Sequence, residues 1–283
     1  MTVLDRRLHA FRDDLADAAL AGQVAAPRFV AGRPARVTAP IADLRRAPRP
    51  DAGLDTQLLL GDDVLVFEDI EGFAWVQAER DGYVGYVGSE ALSARADNPT
   101  HIVSAPRTFI YPGPDMKLPA LRALSLGSRL AVTGLEERRG TSYALLASGE
   151  AVVAIHLRQM DDHVPDYVAV AELLLNVPYL WGGVSAFGID CSGLVQLSMR
   201  LAGRDVLRDS DMQAASIGRS LDAASDKRRG DLVFWKGHAA IMTDPGTILH
   251  ANGRTMTVAL EPLAAAIERI GYLYGEPTGF RRP

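Results

Sequence analysis

The chain has one cysteine, Cys191, in 283 residues. That excludes an intrachain disulfide and fits a reducing compartment, where a reactive thiol also survives best. No apolar run approaches the ~18 residues that a membrane-spanning helix requires. The first residues, Met1-Thr2-Val3-Leu4-Asp5-Arg6-Arg7-Leu8, are charged and amphipathic and lack the continuous apolar core of an export signal, so a cytoplasmic location is expected. There is no excess of positive charge either. Thirty Lys and Arg against 35 Asp and Glu leave a net charge of −5, which argues against nucleic acid or an anionic membrane as partner. What is present is ordinary globular material, 48% hydrophobic, in a chain long enough for two or three domains.

Cys191 stands where a Gly-rich stretch, Trp181-Gly182-Gly183 to Gly188-Ile189-Asp190, gives way to the apolar-periodic residues Leu194, Val195, Ser198, Leu201 and Ala202, closed by Gly203. This pattern predicts a helix with the thiol in its first turn and Asp190 as N-cap. Unsatisfied N–H groups at a helix start favour an anion, so the expectation is a thiol that ionises readily. Two later segments supply histidines: Gly230–Met242, containing His238, and Thr247–Asn252, containing His250. Both read as strands, with Asp244-Pro245-Gly246 as the turn between them. A pairing centred on Asp244, through an odd-length loop or an equivalent bulge, would set His238 directly opposite His250. Their Cβ atoms would then be about 4.5–5.5 Å apart, close enough for one imidazole to act as base toward Cys191 while the other orients it. Three such residues also suggest a metal site, but structural zinc takes four protein ligands and no fourth is evident near these motifs. Neither a metal nor a cofactor is expected.

The four segments that carry these residues resemble the NlpC-type cell-wall cysteine peptidases. They are Tyr179-Leu180-Trp181-Gly182-Gly183, Asp190-Cys191-Ser192-Gly193-Leu194-Val195, Gly230-Asp231-Leu232-Val233-Phe234-Trp235 with Gly237-His238, and Ile248-Leu249-His250-Ala251. The resemblance covers roughly the last 120 residues and implies an α+β, papain-like fold. It also implies a triad in which Cys191 is the nucleophile, His238 the general base and His250 the orienting member. The family cleaves peptidoglycan stem peptides, typically at the γ-D-glutamyl to diamino-acid bond.

Ahead of this domain, Leu4, Leu8, Phe11, Leu15 and Ala18 fall on one helical face ending at Gly22, which predicts an N-terminal packing helix. Pro27, Pro34, Pro40, Pro48 and Pro50 suggest an extended lead-in over residues 25–50. Beyond it a pattern repeats. Leu60-Gly61-Asp62-Asp63-Val64-Leu65-Val66 recurs as Leu126-Gly127-Ser128-Arg129-Leu130-Ala131-Val132, and Trp75-Val76-Gln77-Ala78 recurs as Tyr143-Ala144-Leu145-Leu146. Short alternating strands with Gly turns, twice over, suggest two small β-barrels that look like bacterial SH3-like domains, the first more closely than the second. The expected organisation is a helix and extended segment over 1–32, barrels over 33–95 and 96–160, and the peptidase domain over 161–283.

Tandem barrels before this peptidase, together with Leu207-Arg208-Asp209-Ser210-Asp211-Met212-Gln213, resemble the murein-peptide recycling branch. That resemblance implies a substrate of the form L-Ala-γ-D-Glu-diamino acid with a free N-terminal amine. Carried over residue by residue, it has Tyr179 stabilising the tetrahedral intermediate and Trp181 walling the pocket. Asp190 would meet the α-amino group, Ser192 would bond the peptide, and Asp209 and Ser210 would line the cleft. Tyr83 of the first barrel would close the amine end, with Tyr86 as its rival and Asp55 as an acidic partner. Read from the residues alone, Tyr83 and Trp181 also suit a core, Asp209 suits a helix cap, and Asp190 serves as cap or as amine ligand. The competing functions are a non-catalytic wall-binding module and an amidase or acyltransferase built on the same Cys-His fold.

Overall fold

The computed structural model describes residues 4–283. Met1-Thr2-Val3, part of the stretch read for an export signal, lie outside the described residues. The chain divides after Met160 into two compact units. Among the described residues no helix is long and apolar enough to cross a membrane.

The first unit opens with an irregular segment in which Ala16–Asp17 (β1) pairs with Phe29–Val30 (β2). Seven strands follow: Arg33–Val37 (β3), Ile41–Arg45 (β4), Leu54–Leu59 (β5), Asp63–Ile70 (β6), Phe73–Ala78 (β7), Val84–Gly88 (β8) and Leu92–Ser93 (β9). They form one sheet in the order β5-β4-β8-β7-β6-β3-β9. Period-two burial gives it two apolar faces. Leu44, Val76, Tyr83 and Val87 pack inside with Val37, Leu58 and Val64. Gly85 is required there, because a Cβ would come within 2.0 Å of Leu44 Cδ2.

The expected N-terminal helix is absent. Residues 4–22 form turns, β1 and a single 3-10 turn over Ala18–Leu20. Acidic side chains capture nearby amides in place of helical carbonyls: Asp5 accepts from the Arg7 amide at 2.9 Å and Asp17 from the Ala19 amide at 3.1 Å. Ala10 and Leu15 are instead buried on the outer face of the barrel, against Phe67 and Trp75. Arg12 fastens this strap, stacked 4.5 Å over Trp75 and bonded to Glu68 at 2.6 Å and the Tyr86 hydroxyl at 2.9 Å. The Pro-rich stretch is not merely a lead-in, because it contains β3 and β4. Pro34 is tolerated because β3 pairs there with β6 alone, β9 joining only at Arg36 and Val37.

The rest of the first unit has strands His101–Val103 (β10), Arg107–Tyr111 (β11), Arg122–Ser125 (β12), Arg129–Leu130 (β13), Val132–Arg138 (β14), Thr141–Leu146 (β15), Ala151–Val153 (β16) and Leu157–Gln159 (β17). They make sheets of order β13-β10-β17 and β12-β11-β16-β15-β14. Val103, Ile110, Leu124, Leu130 and Val152 fill the space between them, joined by Leu60 from the preceding barrel.

The second unit begins with helix Tyr167–Glu172 (α1), capped by Asp166, and a small hairpin of Val184–Ser185 (β18) and Gly188–Ile189 (β19). Helix Cys191–Leu201 (α2) follows, every residue of it buried, then helix Ser210–Ser216 (α3). Six strands complete the unit: Arg219–Leu221 (β20), Leu232–Trp235 (β21), His238–Asp244 (β22), Thr247–Asn252 (β23), Thr257–Pro262 (β24) and Gly279–Arg282 (β25). They form one antiparallel sheet of order β20-β25-β21-β22-β23-β24. Helix α2 packs against β22 and β23. Helix Leu263–Tyr274 (α4) buries Ala266 and Ile270 on the sheet among Val233, Trp235, Ala240, Met242 and Ile248.

Candidate active site

Cys191 is the first residue of α2, with Asp190 as its cap. The sulfur accepts from the backbone N–H groups of Ser192 and of Ala239, the residue after His238, so the thiol lies beside the start of β22. His238 Nε2 is 2.9 Å from His250 Nδ1, the rings meeting edge to face with centroids 5.1 Å apart.

This contact is built differently from the direct opposition expected. Asp244 pairs with Thr247 across a two-residue turn, Pro245-Gly246, but Met242 pairs with Ile248 and Ile241 with Leu249. Thr243 is therefore an extra residue, a bulge. Extending the register beyond the bulge, His238 falls opposite Asn252, and His250 is its diagonal neighbour, two residues along on the same face. Were Thr243 to pair regularly with Ile248, the register would slip by one and the two histidines would point to opposite faces.

Burial sets the charge state. It pushes the Cys191 thiol up to about 12, assisted by the nearby Asp190 carboxylate and opposed by the Ala239 amide and the Arg208 guanidinium. His238 is held down to about 3 and His250 to about 4, both mainly by burial, with Glu261 pulling His250 the other way. The resting site is a neutral thiol beside neutral imidazoles, not the thiolate expected from the helix start. That helix terminus is already occupied, because the Asp190 carboxylate accepts from the Gly193 amide at 2.7 Å.

Asp190 is also more committed than the sequence suggested. It accepts from the Gly182 amide at 2.9 Å and takes both arms of Arg208, at 3.0 and 2.7 Å. Arg208 is buried and reaches the Ser192 hydroxyl at 2.7 Å. An approaching ammonium would thus meet a carboxylate already neutralised by Arg208. Asp190 first holds the Gly182-Gly183 turn against α2. The close approach explains the glycines, since a Cβ on Gly193 would stand 2.3 Å from the Gly183 carbonyl oxygen.

Tyr179 is held on the same frame. Its amide donates to the Met256 carbonyl at 2.8 Å, and the next residue's amide to Ile189 at 3.2 Å. Burial, with Cys191 and Asp190 near, pushes its ionisation well up, so it remains an O–H donor. Trp181 is 66% exposed, a surface residue and not a core ring. Asp209 occupies the cap position of α3 without a side-chain cap bond, and Asp209 and Ser210 are both half-buried.

Tyr83 belongs to the other unit, where its ring is part of the first barrel's core. Tyr86, on the alternate face, accepts from Arg12, and Asp55 is paired with Arg46 at 2.9 Å. Sequence reading missed Arg208 and Glu261 as members of the site. Glu261 Oε2 lies 3.1 Å from His250 Nε2, and an acidic residue on an amphipathic strand gives no sign of such a contact in sequence.

A buried thiol at a helix start with two bonded imidazoles on an adjoining sheet defines a hydrolase of the papain-like kind. Comparison with known proteins gives it a family. Residues 176–269 match the NlpC/P60 family model, and residues 44–92 match the model of the bacterial dipeptidyl-peptidase Sh3 domain. A gamma-D-glutamyl-L-lysine dipeptidyl-peptidase of Bacillus subtilis is 30% identical over 242 residues, which is 77% of this chain and 78% of that protein. One of the same name from Bacillus cereus is 28% identical, over 74% of this chain and 71% of its own length. The crystal structure of an NlpC/P60 family protein from Bacillus cereus shares the fold, with a TM-score of 0.73 at 24% identity, covering 88% of this chain and 99% of that one. The chain belongs to the NlpC/P60 family of peptidases, with a bacterial SH3 domain ahead of the hydrolase domain.

Proposed function

We propose that the protein is a cysteine peptidase that hydrolyses the γ-D-glutamyl to diamino-acid bond of murein peptides bearing a free N-terminal L-Ala. In this reading Cys191 is the nucleophile, His238 the base and His250 its orienting partner. The observation that carries it is the 2.9 Å contact between His238 and His250, on a strand whose next amide bonds the Cys191 sulfur. The names of the two Bacillus relatives support the choice of bond.

Because the thiol rests neutral, the proton moves as the bond forms. His238 takes it from Cys191 while sulfur attacks the γ-carbonyl carbon of D-glutamate. The oxyanion is met by the Tyr179 hydroxyl and the Cys191 backbone N–H. Collapse of the intermediate breaks the C–N bond, His238 delivers its proton to the leaving amine, and water then cleaves the thioester with His238 again as base. Trp181, Ser192, Asp209 and Ser210 line the substrate side of the cleft, and a role in recycling soluble fragments inside the cell completes the proposal.

The test is incubation with free and N-acetylated L-Ala-γ-D-Glu-diaminopimelate and with the lysine analogue, with products read by mass. Free peptide should yield L-Ala-D-Glu and the diamino acid, and Cys191→Ala should abolish turnover with an unchanged circular dichroism spectrum. Hydrolysis that survives Cys191→Ala rejects the mechanism. Equal cleavage of acetylated and free peptide rejects the amine requirement.

A further inference from the structure

The Cys-His-His set uses one nitrogen of His250 and leaves the other facing a carboxylate. Glu261 lies on β24, where His250 pairs with Ala259, so Glu261 is two residues along on the same sheet face. Three adjacent strands thereby present His238, His250 and Glu261 in a diagonal row, with contacts of 2.9 and 3.1 Å. The second contact has ion-pair distance but is not aligned well enough to count as a hydrogen bond. Glu261 is itself gripped by both arms of Arg269 from α4, at 2.9 and 2.6 Å, and by Arg254 at 3.3 Å. These cations hold its carboxyl below the usual range, so it is an anion.

We infer that Glu261 is a positioning residue that fixes the tautomer of His250 and, through it, leaves His238 able to act as a base. This deepens the peptidase reading above and rests on it. When both rings are neutral, one proton lies between His238 Nε2 and His250 Nδ1. If His250 supplied it, the bare lone pair of His250 Nε2 would face the Glu261 anion at 3.1 Å, which is repulsive. If His250 carries its proton on Nε2, that N–H faces the carboxylate and Nδ1 accepts from His238. His238 then has its proton on Nε2 and an empty Nδ1, the only state in which it can take a proton from a thiol. A single direction of proton order thus runs from Arg269 through Glu261 and His250 to His238.

The experiment combines nitrogen-15 NMR of the histidine rings with the rate of Cys191 alkylation by iodoacetamide between pH 5 and 9, neither of which needs the substrate. In the unmodified protein His250 should show a protonated Nε2 and a bare Nδ1. Glu261→Ala should mix or reverse the tautomers, slow alkylation across the pH range, and lower kcat about 10–100-fold with little change in KM, the range for loss of an orienting partner. Glu261→Gln keeps an acceptor oxygen and should recover part of both rates. Arg269→Ala, which removes the grip but not the carboxylate, should retain the tautomer. A protonated Nδ1 on His250 in the unmodified protein overturns the inference even if no variant folds. So does a Glu261→Ala protein with unchanged ring spectrum and alkylation profile. Failure to find a peptide substrate would reject the function proposed above and leave both of these readouts intact.

Discussion

Two arginines show how differently an outer strap and an enclosed site use charge. Arg12 lies on the outside of the first barrel, its side chain 21% exposed, stacked on Trp75 and shared between Asp14 and Glu68. Arg208 lies inside the peptidase unit, its side chain 1% exposed, and is the counter-charge of Asp190. The first contact is wetted and redundant, so losing it loosens a strap. The second is enclosed, and removing one member strands the other in a medium that cannot solvate it. The difference is one of site and not of unit, since Arg80 of the first barrel is enclosed with Asp62 and Asp81 while Arg229 of the peptidase unit pairs with Asp166 and Glu172 at the surface.

The comparison breaks most completely in the register of β22 and β23. Inserting one residue between Ala240 and Ile241, past the bulge, should shift His238 by one residue relative to His250, separate the rings to opposite faces, and reduce turnover to the Cys191→Ala background. A folded insertion protein that retained activity would show that strand register is not what sets the pair. Next in size is Arg208→Ala. It should cost about 3–5 kcal/mol in denaturant unfolding and abolish activity, because the Asp190 carboxylate is left buried without its counter-charge. A loss below about 1 kcal/mol would mean that water reaches Asp190 and the enclosure is not real. Smallest is Arg12→Ala, expected to cost about 1 kcal/mol with peptidase activity unchanged, since its pairs are partly exposed and its stacking modest. A large activity loss there would show that the strap does more than cover the barrel face.

The same contrast appears in pH dependence. His238 and His250 ionise near 3 and 4 in the fold, below their unfolded value of about 6.5, so the unfolded chain binds more protons in that interval. Stability they contribute is therefore present above pH ~6.5 and lost as pH falls toward those folded values. The carboxylates that anchor the strap act lower on the scale. Glu68 is held down against desolvation by Arg12 and Arg28, so its contribution is full above the ordinary carboxylate range and is lost as pH falls through that range toward the lowered folded value.

Much of this molecule was written locally. The Gly-Gly turn, the Asp190 cap, the Cys191 helix and the His238 and His250 strands are short-range patterns, and each folds as its own spacing dictates. The N-terminal stripe misled because helical spacing is a weak preference that local Asp–amide bonds and burial on Trp75 outweigh. Tertiary structure alone decided three further matters. The Thr243 bulge selected the face of the histidines, because a one-residue slip in register leaves no trace in alternating apolar residues. Burial decided that the thiol rests protonated, since desolvation depends on what packs around a group and not on its neighbours in the chain. And the partners Arg208 and Glu261 were fixed by folding, because a charge in sequence does not say which counter-charge it will meet.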